Sequence, residues 1–115
     1  MRQFARLLLC FLQDTIIIMR YELNSTEMFD VWIAELDGSL KRRIANRLLQ
    51  VECGNFGDHK MLTATLFELR STFGGGVRIY YTLSEKEIVL LLAGGNKSSQ
   101  EKDIASAKIL LLELD

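Results

Sequence analysis

From Phe67 to Gln100 the chain reads FELRSTFGGGVRIYYTLSEKEIVLLLAGGNKSSQ. Its apolar and polar positions alternate in short runs, the period of β-strands. The glycines Gly74, Gly75 and Gly76 predict a turn between a strand over 66–73 and a strand over 77–83, and a polar turn at 84–86 leads to a third strand over 88–92. Parity puts Phe67 and Leu69 on one face with Val77, Ile79, Tyr81 and Leu83, and puts Glu68, Arg70, Thr72, Arg78, Tyr80 and Thr82 on the other. A three-residue loop keeps the two apolar sets together, since a slip of one residue sends a strand's apolar set to the wrong face. That loop sets Arg78 opposite Thr72, Tyr80 opposite Arg70 and Thr82 opposite Glu68. The third strand is apolar throughout, which predicts a central strand covered on both faces.

Helical periods flank this block. A short strand over 20–23 leads to Asn24, which with Glu27 has capping-box spacing, and Phe29, Trp32, Ile33 and Leu36 then form a buried stripe. Trp32 could serve as a stacking platform for a base, but its place in the stripe predicts a core residue. Asp37 and Gly38 end this helix. Ser39 caps a second over 40–52, with Leu40, Ile44, Leu48 and Val51 inward and Lys41, Arg42, Arg43 and Arg47 outward. The two helices predict a hairpin laid on the apolar side of the sheet, from which a glycine-containing loop returns to an edge strand or its approach over 61–65. After the central strand Ser98 is the expected cap of a final helix, again with Glu101 at capping-box spacing. Ile104, Ala107, Leu111 and Leu114 form its stripe, and Ile109, Leu110 and Leu112 widen it in the manner of a partner contact, a self-contact or a fully buried helix. The fold class is α+β, with an antiparallel, partly mixed sheet, an N-terminal helical hairpin on one face and a C-terminal helix.

Composition adds bounds. The 115 residues support one domain, and 49% hydrophobic with 25% charged residues is a soluble balance. With 14 Lys and Arg against 15 Asp and Glu, net charge does not point to nucleic acid, so any basic surface must come from clustering. Arg43 and Arg47 on the second helix, with Lys60 in the return loop, are candidates to touch phosphate or an acidic partner, and a solvated helix face is the alternative. Two distant cysteines and one histidine, His59, offer no metal-ligand spacing. No metal or cofactor is expected, Cys53 is expected to be inert, and a reducing, cytoplasmic setting is the default. Residues 1–18, MRQFARLLLCFLQDTIII, pair two arginines with an apolar run too short to span a bilayer and lack a signal-cleavage pattern. They are expected to be an extension preceding a domain over 19–115, which opens on Met19, with an extra helix or strand packed on that domain as the alternative.

The motifs GNFGDHK, ELR, VRIYY and LLLAGGNKSSQEKDI, in this order and spacing, resemble the RelE/ParE superfamily of type II toxins, and within it the phage addiction module killer protein, HigB-like branch. The resemblance covers about residues 19–112. It implies a RelE-like fold and a small toxin neutralised by a cognate antitoxin, often of helix-turn-helix type. Many members cleave mRNA on the ribosome, while the ParE side poisons DNA gyrase without cutting RNA, and a decayed member would act only as an antitoxin-binding module. By motif, Arg78 matches the arginine that RelE-type nucleases place beside the scissile phosphate, and Lys97 lies where a second basic residue is often brought. Two features depart from the pattern: lysines of RelE align with Leu66 and Glu68, and no tyrosine or histidine follows Tyr81.

RNA cleavage by a 2′-hydroxyl needs a proton acceptor, donors for the dianionic phosphorane and an acid for the leaving oxygen. Arg70 and Arg78 suit the second task, because a guanidinium stays charged and offers a fork to phosphate. Each could instead be held in a structural ion pair, Arg70 with Glu68 or a helix acid. Glu68, Tyr80 and His59 are the base candidates. Tyr80 could also stack on a base or pack along an arginine stem.

Overall fold

The computed structural model describes residues 2–3, 9–12, 15–18, 20–85 and 87–114, the first three stretches as backbone only. The elements are β1 (Arg2–Gln3), β2 (Leu9–Leu12), β3 (Thr15–Ile18), β4 (Glu22–Ser25), α1 (Glu27–Ala34), α2 (Gly38–Glu52), β5 (His59–Met61), β6 (Phe67–Arg70), β7 (Arg78–Ser84), β8 (Ile88–Gly95), a 3₁₀ turn (Lys97–Ser99) and α3 (Gln100–Leu114). One mixed sheet runs β1-β4-β8-β7-β6-β5, and β2 and β3 form a separate hairpin. β8 is flanked by β4 in parallel and by β7 antiparallel, the central position its apolar run predicts.

The sheet is covered on both faces. On one, α1 and α2 contribute Phe29, Ile44, Leu48 and Val51 to a core with Leu23, Leu69, Val77, Ile79, Tyr81, Val89 and Leu91, against which Trp32, Ile33 and Leu36 pack. On the other, α3 lays Ala107, with Ile104, Leu110 and Leu111 beside it, over Leu66, Tyr80, Leu90, Leu92 and Ala93. Strand parity assigns this second face to polar residues. It is closed because a bulge between Tyr80 and Tyr81 gives β8 an extra residue, so that Leu92 and Ala93 both feed the α3 core. Ile109 and Leu112, at 59% and 76% exposure, remain outside.

Several boundaries differ from the sequence expectation, each because side-chain geometry outranks spacing. Asn24 and Ser25 belong to β4, and the cap of α1 is Thr26, whose hydroxyl accepts from Phe29 N and donates to the Leu92 carbonyl. One residue thereby caps the helix and pins it to the central strand. Asp37, not Ser39, caps α2 by accepting from Leu40 N. Asn96, not Ser98, caps the 3₁₀ turn that leads into α3. The edge strand is 59–61 and not 61–65.

The loop between β6 and β7 spans 71–77, not three glycines. Ser71 N bonds Val77 O, and Gly74, Gly75 and Gly76 all take positive φ (61°, 74° and 85°), which side-chain-bearing residues rarely adopt. The loop is still odd in length, so the faces are as expected while the register moves by two. Arg70 lies opposite Arg78 and Glu68 opposite Tyr80. Cys53, the expected inert thiol at the end of α2, is disulfide-bonded, a proximity that sequence spacing cannot reveal. No helix among the described residues is long and apolar enough to cross a membrane.

Much of the expected 1–18 extension lies outside the described residues. A chain starting at Met19 keeps both core clusters named above but loses β1, which pairs with β4, and Cys10, the sequence's only cysteine besides Cys53. Its thermal midpoint is therefore expected to fall while the transition stays cooperative; a collapse of the transition would make 1–18 part of the domain. A β-carbon on Gly94 would overlap the Trp32 ring. Gly94→Ala is therefore expected to destabilise by about 1–3 kcal/mol in denaturant unfolding, the usual cost of overpacking, and an unshifted midpoint would show that Trp32 is not seated there.

Candidate functional site

The polar residues singled out from sequence lie in two adjacent rows across the α3 face of the sheet. One row is Lys60–Glu68–Tyr80–Ala93 and the next Arg70–Arg78–Gly95. Arg70 and Arg78 thus stand directly opposite each other, a like-charge pair that a sheet does not choose for stability. Their charges are handled differently. Arg70 is compensated by Asp58 at 3.3 Å and, at 3.9 Å, by Glu68. Arg78 has no ion pair among the described residues: its Nη1 donates to the Ser71 and Val77 carbonyls at 3.2 and 3.3 Å, and its buried Nε has no hydrogen-bond partner. Lys97 is exposed beside it, since a β-carbon on Gly76 would touch both Arg78 Nη1 and Lys97 Cβ at 3.3 Å. The arrangement is a half-buried guanidinium steered by loop carbonyls, with a second cation at the rim.

Glu68 and Tyr80 are fully buried beneath α3, not on the open face that strand parity alone suggests. Gln100, at the start of α3, donates to Glu68 Oε2 at 2.7 Å, while Glu68 Oε1 and the Tyr80 hydroxyl have no partner at hydrogen-bonding geometry. Burial pushes the Tyr80 phenol up, the Glu68 and Asp103 carboxylates push the same way, and Arg78 opposes them. Tyr80 is consequently a protonated donor at neutral pH and not a base. Across the sheet, burial pushes Tyr81 up to about 12.

The remaining candidates are spread around this centre. Arg43 is exposed on α2 and lies over the Phe73 ring at 4.5 Å, so it reaches the 71–77 loop. Arg47 donates to the Asp58 carbonyl at 3.1 Å and wraps Gly57; burial lowers its pKa, against the pull of Asp58 and Tyr81. It anchors the 54–58 loop. Lys60 is exposed on β5, at the outer end of the Glu68 row. His59 contacts the Gly57 carbonyl through Nδ1 and is a loop-fixing residue in this geometry. Among the described residues no cluster of His, Cys, Asp or Glu is arranged to hold a metal.

Sequence reasoning missed Asp58, Gln100 and Asp103. The last two carried a readable signal: positions 100, 103, 104, 107 and 111 form one helical stripe whose first turn is polar, so the inner face of α3 brings an amide and a carboxylate onto the sheet. Asp103 comes close only because Gly95 lacks a side chain; a β-carbon there would fall within 2.7 Å of Ser99 Oγ and closer still to the carboxylate. A larger hollow of about 520 Å³ lies at the far end of α3, between Leu83, Leu112 and Leu114, away from the arginines.

No family model matches the sequence. A Haemophilus influenzae protein, described as uncharacterized, is 40% identical over 97 residues, covering 84% of this chain and 98% of its own. The chain belongs to the family of that protein. Among solved structures, an arginine-to-alanine double mutant of Escherichia coli toxin RelE in the free state superposes with a TM-score of 0.58 at 15% identity, over 73% of this chain and 90% of that one. This chain has a RelE-like α+β fold, and in it the 71–77 loop, the end of β8 and the first turn of α3 meet around Arg78.

The raised phenols give a pH prediction with a definite sign. Unfolded tyrosines ionise near 10, whereas Tyr80 and Tyr81 hold their protons longer in the folded state. The stability this confers is complete below pH ~10 and is lost as pH climbs toward and through 12. Alkaline unfolding should set in over that window, and two of the three tyrosines should titrate late in tyrosinate absorbance. Two early titrations would contradict the burial.

Proposed function

We propose that this protein is the toxin of a type II toxin–antitoxin system, of the addiction module killer protein, HigB-like branch of the RelE/ParE superfamily, acting in the cytoplasm as a metal-independent endoribonuclease on ribosome-bound mRNA. The observation that carries the reading is the Arg78 guanidinium, set opposite a second arginine and without a carboxylate partner among the described residues. A sheet that accepts this like-charge pairing is poised for an anion, and the phosphodiester is the anion that RNA offers. The fold likeness to RelE and the ordered motifs support the same reading.

In the proposed reaction the ribose 2′-oxygen attacks phosphorus, the bond to the 5′-oxygen breaks, and a 2′,3′-cyclic phosphate and a 5′-hydroxyl result. Arg78 and Lys97 hold the non-bridging oxygens as charge builds on them. Arg70, fixed by Asp58 and Glu68, supplies the field from the next strand. Tyr80 and Glu68 are the candidate acid and proton acceptor by their place on this face; both are wholly buried beneath α3, so they reach the leaving oxygen and the 2′-hydroxyl only when the start of α3 moves aside. Arg43 and Lys60 lie farther out for the RNA backbone, and Arg47 holds the loop beneath them. A cognate antitoxin, of helix-turn-helix type by resemblance, is the expected partner.

One observation favours a second reading, a ParE-like inhibitor of DNA gyrase without nuclease activity: both Glu68 and Tyr80 lie wholly beneath α3, and no tyrosine or histidine follows Tyr81. Induction in bacteria separates the two. Arrest of protein synthesis with cut mRNA and intact DNA is expected; a DNA-damage response with unchanged mRNA would select the gyrase reading. Arg78→Ala is expected to abolish growth arrest while leaving thermal unfolding and antitoxin binding near wild type, since the side chain makes only two carbonyl contacts. Loss of folding in that variant would make Arg78 a structural residue.

A further inference from the structure

Beside Arg78 lies a cavity of about 210 Å³, walled by Trp32 and Leu36 of the α1 segment, floored by Val77 and Gly94, and rimmed by Asn96 and Asp103. Its position is set by sequence neighbours. Val77 precedes Arg78, Asn96 precedes Lys97, and Gly95, also in its lining, is the ladder partner of Arg78. Val77 and Arg78 point to opposite faces of their strand, but the 74–76 turn joins the two places: Gly74 lines the cavity, and a β-carbon on Gly76 would touch both Arg78 Nη1 and Lys97 Cβ. Below the roughly 300–1,000 Å³ of drug-sized sites, it suits one planar ring system and not a whole nucleotide. We propose that it is a nucleobase subsite, taking the base next to the phosphate held by Arg78 and Lys97; this rests on the RNA-cleaving reading above.

The chemistry of the lining selects a base over other occupants. Sequence-specific RNA recognition works on unstacked bases that sit against aromatic rings and are hydrogen-bonded along their edges. Trp32 is only partly buried, so its indole offers such a wall while packing on Gly94. The rim is acidic where the neighbouring surface is basic, which keeps a phosphate out of the cavity and at the cations. Asp103 Oδ2 accepts from the Ser99 hydroxyl at 2.5 Å, which holds the carboxylate at the rim, and a carboxylate has acceptor capacity beyond one bond for a base. A carboxylate accepts and does not donate, so Asp103 takes a base by an edge donor, the amino group of adenine, cytosine or guanine or the N3–H of uracil.

Trp32 is the single tryptophan, so its fluorescence reports on this cavity alone. The full-length protein is titrated into the millimolar range with the four nucleoside 5′-monophosphates and with ribose 5-phosphate, and RNA cleavage is measured in parallel. All four nucleotides should change Trp32 emission saturably, and ribose 5-phosphate not at all. Asp103→Asn and Arg78→Ala should each raise half-saturation for the nucleotides by roughly tenfold, the scale of one charge-assisted hydrogen bond. No saturable response from any nucleotide, or an equal one from ribose 5-phosphate, overturns the subsite. The parallel assay separates the failures: cleavage without a Trp32 response removes the subsite alone, whereas a nucleotide response without cleavage removes the nuclease reading and leaves the subsite standing.

Discussion

The structure depends on burying β8 from both sides at once. Its run Val89 to Ala93 is enclosed, with α1 and α2 on one face and α3 on the other. Two neighbouring glycines close its end. Gly94 lets the Trp32 ring lie against the strand from one side, and Gly95 admits Asp103 and Ser99 from the other. Each fully buried side chain of the Leu or Val class contributes about 1.5–3 kcal/mol, and the central strand supplies more such residues than any other single element. Pinched at Gly94 and Gly95, this end of the sheet is held in position by three elements, and Arg78 is paired to it.

The same geometry explains where polar groups are tolerated. A carboxylate and a phenol sit beneath α3 because Gln100 satisfies one oxygen of Glu68 and Arg70 approaches the other. Buried polar groups of this kind cost stability unless paired, and here the pairing is incomplete: Glu68 Oε1, Tyr80 Oη, Arg70 Nε and Arg78 Nε all lack hydrogen-bond partners among the described residues. Four such atoms in two adjacent rows of one sheet face mark a place where apolar packing has been forgone. The opposite face at the same level, Leu69 and Ile79, has no such feature.

Asp58 ties the periphery to this centre. Its carboxylate meets Arg70, and its carbonyl accepts from both Arg70 N and the Arg47 guanidinium. The 54–58 loop, held at Gly57 by Arg47, therefore determines how Arg70 is held, although it contributes no residue to the strands themselves. Phe56 extends the link inward through ring contacts with Tyr21 and Tyr81. Arginines that look alike in sequence thus do three jobs: Arg47 anchors a loop, Arg70 is neutralised in place, and Arg78 keeps its charge available.

Local sequence determined the elements and their inner faces. Period-two alternation from Phe67 onward and the apolar run Val89–Leu90–Leu91–Leu92 identified the strands and the central one, and the stripes of α1 and α2 identified the hairpin, because side-chain period tracks backbone geometry directly. Only the tertiary structure decided the rest. Loop length between β6 and β7 depends on how three left-handed glycines close a turn, and a change of two residues keeps every face while altering every partner, so parity could not distinguish Arg70 opposite Arg78 from Thr72 opposite Arg78. Caps went to Thr26, Asp37 and Asn96, where oxygens could reach, over neighbours with equal propensity. The burial of Glu68 and Tyr80 was set by a helix that begins at Gln100, and the approach of Asp103 by the missing side chain of Gly95. Those are contacts between segments far apart in the chain, and no local pattern encodes them.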